Sequence, residues 1–183
     1  MEFFSLVPHA AAANAPALDI YAVALILGSG RISFRYRVRG DAHRIRLPAR
    51  GKSERSDGLW RHTCFEAFVA PQNSERYAEL NFSPSSAWAA YSFEHYRYGM
   101  QSLPVIKPPS IQLQAEDDLL AFDVTVQMRS LASDSIVGFS AVIEDLDGGI
   151  SHWALAHHGA KADFHDPKGW LAKFQRETAE DRL

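Results

Sequence analysis

Between Asp57 and Met100 the chain reads DGLWRHTCFEAFV, a short polar loop, and then YAELNFSPSSAWAAYSFEHYRYGM. This stretch constrains the fold most, because it has strand alternation with polar and aromatic residues where a strand facing a core would be apolar. With the strand period of two, Trp60, His62, Cys64, Glu66 and Phe68 share one side, and Arg61, Thr63, Phe65, Ala67 and Val69 share the other. The second segment repeats the pattern: Tyr77, Glu79, Asn81 and Ser83 alternate with Ala78, Leu80 and Phe82. A hairpin closed over Ala70 to Ser74 sets Glu66 directly opposite Glu79. Like charges across a ladder are destabilising, so the pair calls for a shared proton, a cation, an arginine or a ligand. The polar face reads as the inside of a binding groove.

The rest of the chain repeats the strand signal. Leu18 to Leu27 is apolar and ends at Gly28-Ser29-Gly30; Arg31 to Arg39 alternates, with Ile32, Phe34, Tyr36 and Val38 on the buried side. Further strands are expected over Trp88 to Glu94, Leu119 to Met128, Ser135 to Glu144 and Ile150 to Ala156, the last two joined by an Asp147-Gly148-Gly149 turn. Gly99 to Pro109 holds three prolines and reads as an extended connection. Trp170, Leu171 and Phe174 share a helical face, so a short C-terminal helix is expected. The small-residue run at Ala10 to Ala13 is the one low-complexity segment. Many short strands separated by turns indicate an all-β, two-sheet antiparallel sandwich, and 183 residues without a linker make one domain over 1–183.

Composition narrows the partners. A net charge of −3 gives no electrostatic basis for nucleic acid or an anionic membrane, and no run reaches the ~18 apolar residues of a spanning helix. One cysteine excludes an internal disulfide and any metal site needing two thiolates. The N-terminus MEFFSLVPHAAAANAPA lacks a basic leader region, carries Glu2 and is broken by Pro8 and His9. The expected location is therefore the cytoplasm.

Three separated motifs carry a family resemblance: LWRHTCFEAFV at Leu59 to Val69, YAELNFSPSSAWAAY with YRYGM between Tyr77 and Met100, and SHWALAHHGAKADFH at Ser151 to His165. The chain resembles the bacterial DOMON-like domain proteins, relatives of the family 9 carbohydrate-binding modules. The resemblance implies a jelly-roll type sandwich with a ligand groove on its concave sheet. It also implies two ligand classes, because family 9 modules bind sugar ends between aromatic residues and other DOMON domains bind haem. Only Trp60 of the two expected sugar-clamping tryptophans falls in a matching motif, with Trp88 as the candidate second plate. None of Met1, Met100 and Met128 matches the axial methionine of a haem site.

The candidate ligand-binding residues are Trp60, His62, Glu66, Tyr77, Glu79, Asn81, Trp88, Tyr91 and Arg97. An indole offers a flat apolar face to a pyranose, while carboxylates and amides address hydroxyls in fixed directions. The expected function is thus non-catalytic binding of a saccharide or other small polar ligand, with no cofactor and no metal. Haem or another cofactor in the same groove is the alternative. A third reading is a weak glycoside hydrolase using Glu66 and Glu79, since facing carboxylates reach the separation of about 5–5.5 Å of retaining enzymes; that spacing is also the default for cross-strand neighbours. Cys64 reads as a small buried filler. His157, His158, Asp163 and His165 match no metal-ligand spacing; Asp163 is expected to cap local backbone and Phe164 to anchor the loop.

Overall fold

The computed structural model describes residues 1–11, 15–128 and 134–177. The strands in chain order are β1 (Phe4–Pro8), β2 (Leu18–Gly28), β3 (Arg31–Gly40), β4 (Cys64–Ala70), β5 (Tyr77–Phe82), β6 (Trp88–Phe93), β7 (Gln101–Ser102), β8 (Lys107–Ala115), β9 (Leu119–Gln127), β10 (Ile136–Glu144), β11 (Ile150–Ala154), β12 (Ala172–Lys173) and β13 (Gln175–Arg176). They form two curled, largely antiparallel sheets. One has the order β1-β2-β3-β9-β8 and the other β7-β6-β5-β4-β10-β11-β1. The first half of β1 pairs with β2 and its last two residues pair with β11, so one short strand ties the sheets together. The chain end makes a second tie, β12 lying beside β10 and β13 beside β2.

Alternation assigns the faces. Phe65, Ala67 and Val69 of β4, Leu80 and Phe82 of β5, and Val137, Phe139 and Ala141 of β10 meet Phe34, Tyr36, Phe122 and Val124 of the other sheet in the main core. Phe65 and Phe122 stack at 4.6 Å, and Tyr36 packs edge-on to Phe139 at 5.9 Å. The Tyr36 hydroxyl donates to the backbone carbonyl of Glu66 at 2.7 Å, a bond that crosses between the sheets. Tyr36→Phe is expected to cost about 1 kcal/mol in urea unfolding, the net worth of one buried hydrogen bond.

Every residue of β4 is buried on both faces. The second sheet is therefore covered outside as well, by a smaller cluster of Phe68, Tyr77, Ala89, Tyr91, Phe93 and Trp170. The candidate site lies on that outer face.

Three expectations are corrected. β4 and β5 pair Glu66 with Asn81 and Phe68 with Glu79, not Glu66 with Glu79. The slip is two residues, which preserves the faces and spares the ladder a directly opposed pair of carboxylates. Among the described residues the C-terminal segment is not helical: a 3-10 turn at Pro167–Gly169 leads into β12 and β13. Trp170, Ala172 and Phe174 point inward while Leu171 and Lys173 face solvent, which is a period of two. The expected Glu- and Arg-bearing end of that helix, over 178–183, lies outside the described residues, as do residues 12 and 13 of the alanine run. Finally, the proline-rich connection contains β7 and the start of β8. Pro108 and Pro109 are accommodated because β8 is an edge strand with a register shift between Lys107 and Ser110.

Candidate functional site

β4, β5, β6 and β10 supply the floor of a cleft of about 360 Å³ on the outer face of the second sheet, and two connections wall it. One wall is the β6–β7 turn carrying Arg97 and Met100. The other follows β11 and carries Ala162, Phe164 and His165. The turn closes through Tyr98 N–H to the His95 carbonyl and places Arg97 in the left-handed region at φ 53°. A latch joins the walls: Asp163 accepts from the Arg97 guanidinium at 2.8 Å and from the Tyr96 hydroxyl at 2.5 Å. The second wall is anchored where the Trp170 indole stacks on Phe68 at 5.7 Å and donates to the Phe164 carbonyl at 2.9 Å.

Glu66 and Glu79 sit on the floor, 2% and 6% exposed. Ser140 donates to Glu66 Oε2 at 3.1 Å. Burial, then the charge of Glu79, pushes the Glu66 carboxyl up to about 8, against the smaller opposing pull of Ser140. Burial also raises Glu79, partly offset by a 2.7 Å hydrogen bond from Asn81 Nδ2 and by the Arg97 charge. The Asn81 carbonyl oxygen is fully buried and has no hydrogen-bond partner among the described residues.

His165 completes the wall. The Tyr77 hydroxyl is hydrogen-bonded to its Nδ1 at 2.7 Å and accepts the Arg97 backbone N–H at 3.1 Å, while Nε2 faces Glu79 Oε2 at 3.6 Å. Burial, with the Arg97 charge, holds His165 down to about 4 despite Asp163. The contact with Glu79 is therefore between a neutral imidazole and a carboxylate beyond hydrogen-bond range, rather than an ion pair.

The candidate residues divide by position. Trp60, on a 3-10 turn at Leu59–Arg61 and 42% exposed, lines the cleft with Glu66, Glu79, Tyr91 and Arg97. Tyr91 donates to Asp57 Oδ1 at 2.5 Å, and the Arg55 guanidinium lies 5.4 Å from its ring. Asn81 is fully buried beside Glu79, to which it donates, and does not itself line the cleft; Tyr77 likewise lies outside the lining, stacked on Phe93 at 4.7 Å. Two residues lie elsewhere. His62 precedes β4 and turns its 69% exposed side chain to Glu144, 2.8 Å away. Trp88 faces the main core, on the opposite side of β6 from Tyr91.

Sequence reading did not include Phe68, Phe93, Met100, Val142, His152, Phe164 and His165 among the site residues. Phe68 and Phe93 carried a usable signal, since each shares strand parity with Glu66 or Tyr91. The loop residues carried none. Asp163 does cap local backbone, accepting from His165 N–H at 3.1 Å, and Phe164 packs against the outer cluster. His157 and His158 diverge to the carbonyls of Val7 and Lys168. No group of three or more metal-ligating side chains is assembled among the described residues. Cys64 is fully buried, its thiol pushed well up by burial and then by Glu66, as befits a filler and not a nucleophile.

No family model matches the chain. No curated protein matches it either. Solved structures do. A "putative carbohydrate-binding protein" from Bacteroides uniformis superposes with a TM-score of 0.67 at 15% identity, over 97% of this chain and 87% of that one. A family 9 carbohydrate-binding module from Caldicellulosiruptor kristjanssonii matches in its cellotriose complex with a TM-score of 0.53 at 6% identity, over 100% of this chain and 86% of the module. The fold is that of the family 9 modules. The glucose complex of the Caldicellulosiruptor module agrees, with a TM-score of 0.54 at 7% identity over 100% and 87% of the two chains. At these identities the likeness concerns the sandwich and leaves the chemistry of the cleft to its own residues.

Proposed function

We propose that this protein is a non-catalytic saccharide-binding domain of the DOMON-like type and that the concave cleft is its binding site. The observation that carries the reading is the cleft itself: aromatic faces of Trp60, Tyr91 and Phe93 surround two floor carboxylates and the Arg97 guanidinium. That combination suits a sugar ring, whose C–H face packs on aromatic carbon while its hydroxyls meet a few directional polar groups. Structural neighbours named for carbohydrate binding support the same reading. Trp60 stacks on the ring from the rim, Tyr91 forms the inner wall with its hydroxyl held by Asp57, and Glu79 and Arg97 select hydroxyl positions.

The test is calorimetric titration with a panel of mono- and oligosaccharides, with haemin as a separate arm. At least one saccharide is expected to bind. Trp60→Ala should lower its affinity tenfold or more, about 1.4 kcal/mol. His62→Ala should leave it unchanged, because that imidazole is engaged with Glu144 outside the cleft. Failure of every saccharide to bind, or a Trp60→Ala protein that binds as well as the parent, would overturn the assignment. A Soret band on haemin addition without any sugar binding would replace it with the cofactor reading.

A further inference from the structure

We propose that the cleft prefers saccharides bearing a protonated amino group, an amino sugar over its neutral parent, with the ammonium held on the floor by Glu66 and Glu79. This rests on the saccharide reading above and specifies the ligand class of that site.

The floor is rich in carboxyl oxygens and short of protein donors. Asn81 lies directly across the ladder from Glu66 and donates its Nδ2 to Glu79, so its amide sits between the two carboxylates with Oδ1 left over. That oxygen is fully buried and unpartnered among the described residues, so the Asn81 amide, which does not itself line the cleft, gives the two carboxyls one donor between them. Among the described residues Glu66 has one donor, Ser140. Among them Glu79 Oε2 has the His165 ring nitrogen at 3.6 Å, too far to serve. An ammonium supplies three donors and no acceptor, whereas a hydroxyl supplies one donor and brings lone pairs of its own. The three-donor group matches what the floor lacks.

Charge points the same way. The Arg97 guanidinium is matched by Asp163 at the rim. His165 is held down to about 4 and His152 is lowered by burial and by His9, so near neutral pH neither histidine is a cation. The carboxylates thus have no dedicated positive partner on the floor, and the rings of Phe68, Tyr91 and Phe93 give a cation further favourable surface.

Binding carries a proton signature. In the empty cleft Glu66 holds its proton, and an ammonium beside it favours the carboxylate, so the carboxylic acid and the ammonium combine to give an ion pair and one released proton. Around Glu66 stand Ser140 on β10, Glu79 and Asn81 on β5, Cys64 on its own strand and the Tyr36 hydroxyl from the opposite sheet, with Arg97, His152 and His165 along the walls. Burial raises Cys64 and Tyr36 well above neutrality. Of the two carboxyls raised by burial, Glu66 is the one pushed up to about 8, and the released proton is assigned to it.

The experiment is titration calorimetry at about pH 6.5, below the raised Glu66 value, comparing glucosamine, galactosamine and mannosamine with their parent hexoses and N-acetyl forms. Each is measured in phosphate and in a cationic amine buffer such as imidazole. At least one amino sugar should bind tenfold or more tighter than both its neutral counterparts, with an enthalpy difference between buffers equivalent to about one proton released. Glu66→Gln should reduce the preference to under twofold and abolish the buffer dependence. Glu79→Gln, checked for folding by thermal melting, should also reduce the preference. Parent sugars binding as tightly as amino sugars would overturn the ammonium preference and leave the saccharide reading standing. Absence of binding by every sugar would overturn both. An amino-sugar preference that survives Glu66→Gln unchanged would overturn the assignment of the floor carboxylates.

Discussion

Gly138→Ala is expected to destabilise the protein by about 3 kcal/mol or more, although it adds one methyl group in a strand. Gly138 lies near the start of β10, between β4 on one side and the β11 and β12 ladders on the other, and faces outward under the Trp170 indole. A Cβ there would stand 2.0 Å from Trp170 Cδ1 and 2.7 Å from Cγ and Nε1. Neither side can yield cheaply. The strand is fixed by ladders on both edges, and the indole is held by its bond to the Phe164 carbonyl and its stack on Phe68. Expelling the indole uncovers the outer face of β4 and frees the wall that carries His165. Denaturant unfolding should show the loss. Trp170→Ala alone should cost about 3–5 kcal/mol, and the double variant should cost no more than Trp170→Ala, because removing the indole removes the clash. Additive losses would show that Gly138 is sensitive for a reason other than this contact.

Side-chain parity made most of the sandwich legible. In Arg31 to Arg39 and Leu119 to Met128 one face is core and the other solvent, so alternation alone locates β3 and β9 to within a residue. Parity also put Glu66, Glu79 and Asn81 on one face, because that survives a two-residue slip in register. The register did not survive, since it is set by how the Pro71 to Arg76 loop closes, with Ser74 N–H turning back to the Pro71 carbonyl. The C-terminal segment misled because Trp170, Leu171 and Phe174 fit a helical face while the decisive residue, Ala172, is small. Its burial against the core reveals the strand period.

The cleft was half legible for the same reason. Its floor is sheet and obeys a period; its walls are loops, whose side-chain directions follow from tertiary contacts. Nothing local in HHGAKADFH says that Asp163 reaches Arg97 or that His165 meets Tyr77. Trp60, His62 and Glu66 seemed to share a strand face, but β4 begins only at Cys64. Before it the 3-10 turn breaks the period, sending Trp60 to the cleft rim and His62 to Glu144. Trp88 was misplaced by its type, an aromatic plate being as useful to a core as to a ligand; its even number puts it on the core side of a strand whose cleft side is odd.

Stability is expected to fall by about 2.5 kcal/mol between roughly pH 6 and 9 through Glu66 alone, a drop of very roughly 5–10 °C in melting temperature for a chain of this size. The sign follows from linkage. A carboxyl whose folded value is raised to about 8 binds its proton more tightly in the native than in the unfolded chain. Its contribution is present in full below the ordinary carboxylate range, declines as the pH climbs from there, and is lost once the pH passes about 8. Above that point the native state must hold two buried negative charges on one face, Glu66 and Glu79, with Ser140 and Asn81 as their nearest donors. Glu66→Gln keeps the shape and the Ser140 bond but has no proton to lose. Its melting temperature should change much less over the same interval, so that the variant overtakes the parent at the alkaline end. Parallel curves for the two proteins would mean that Glu66 is ionised throughout, and the cleft would then hold a fixed negative charge without a proton to exchange.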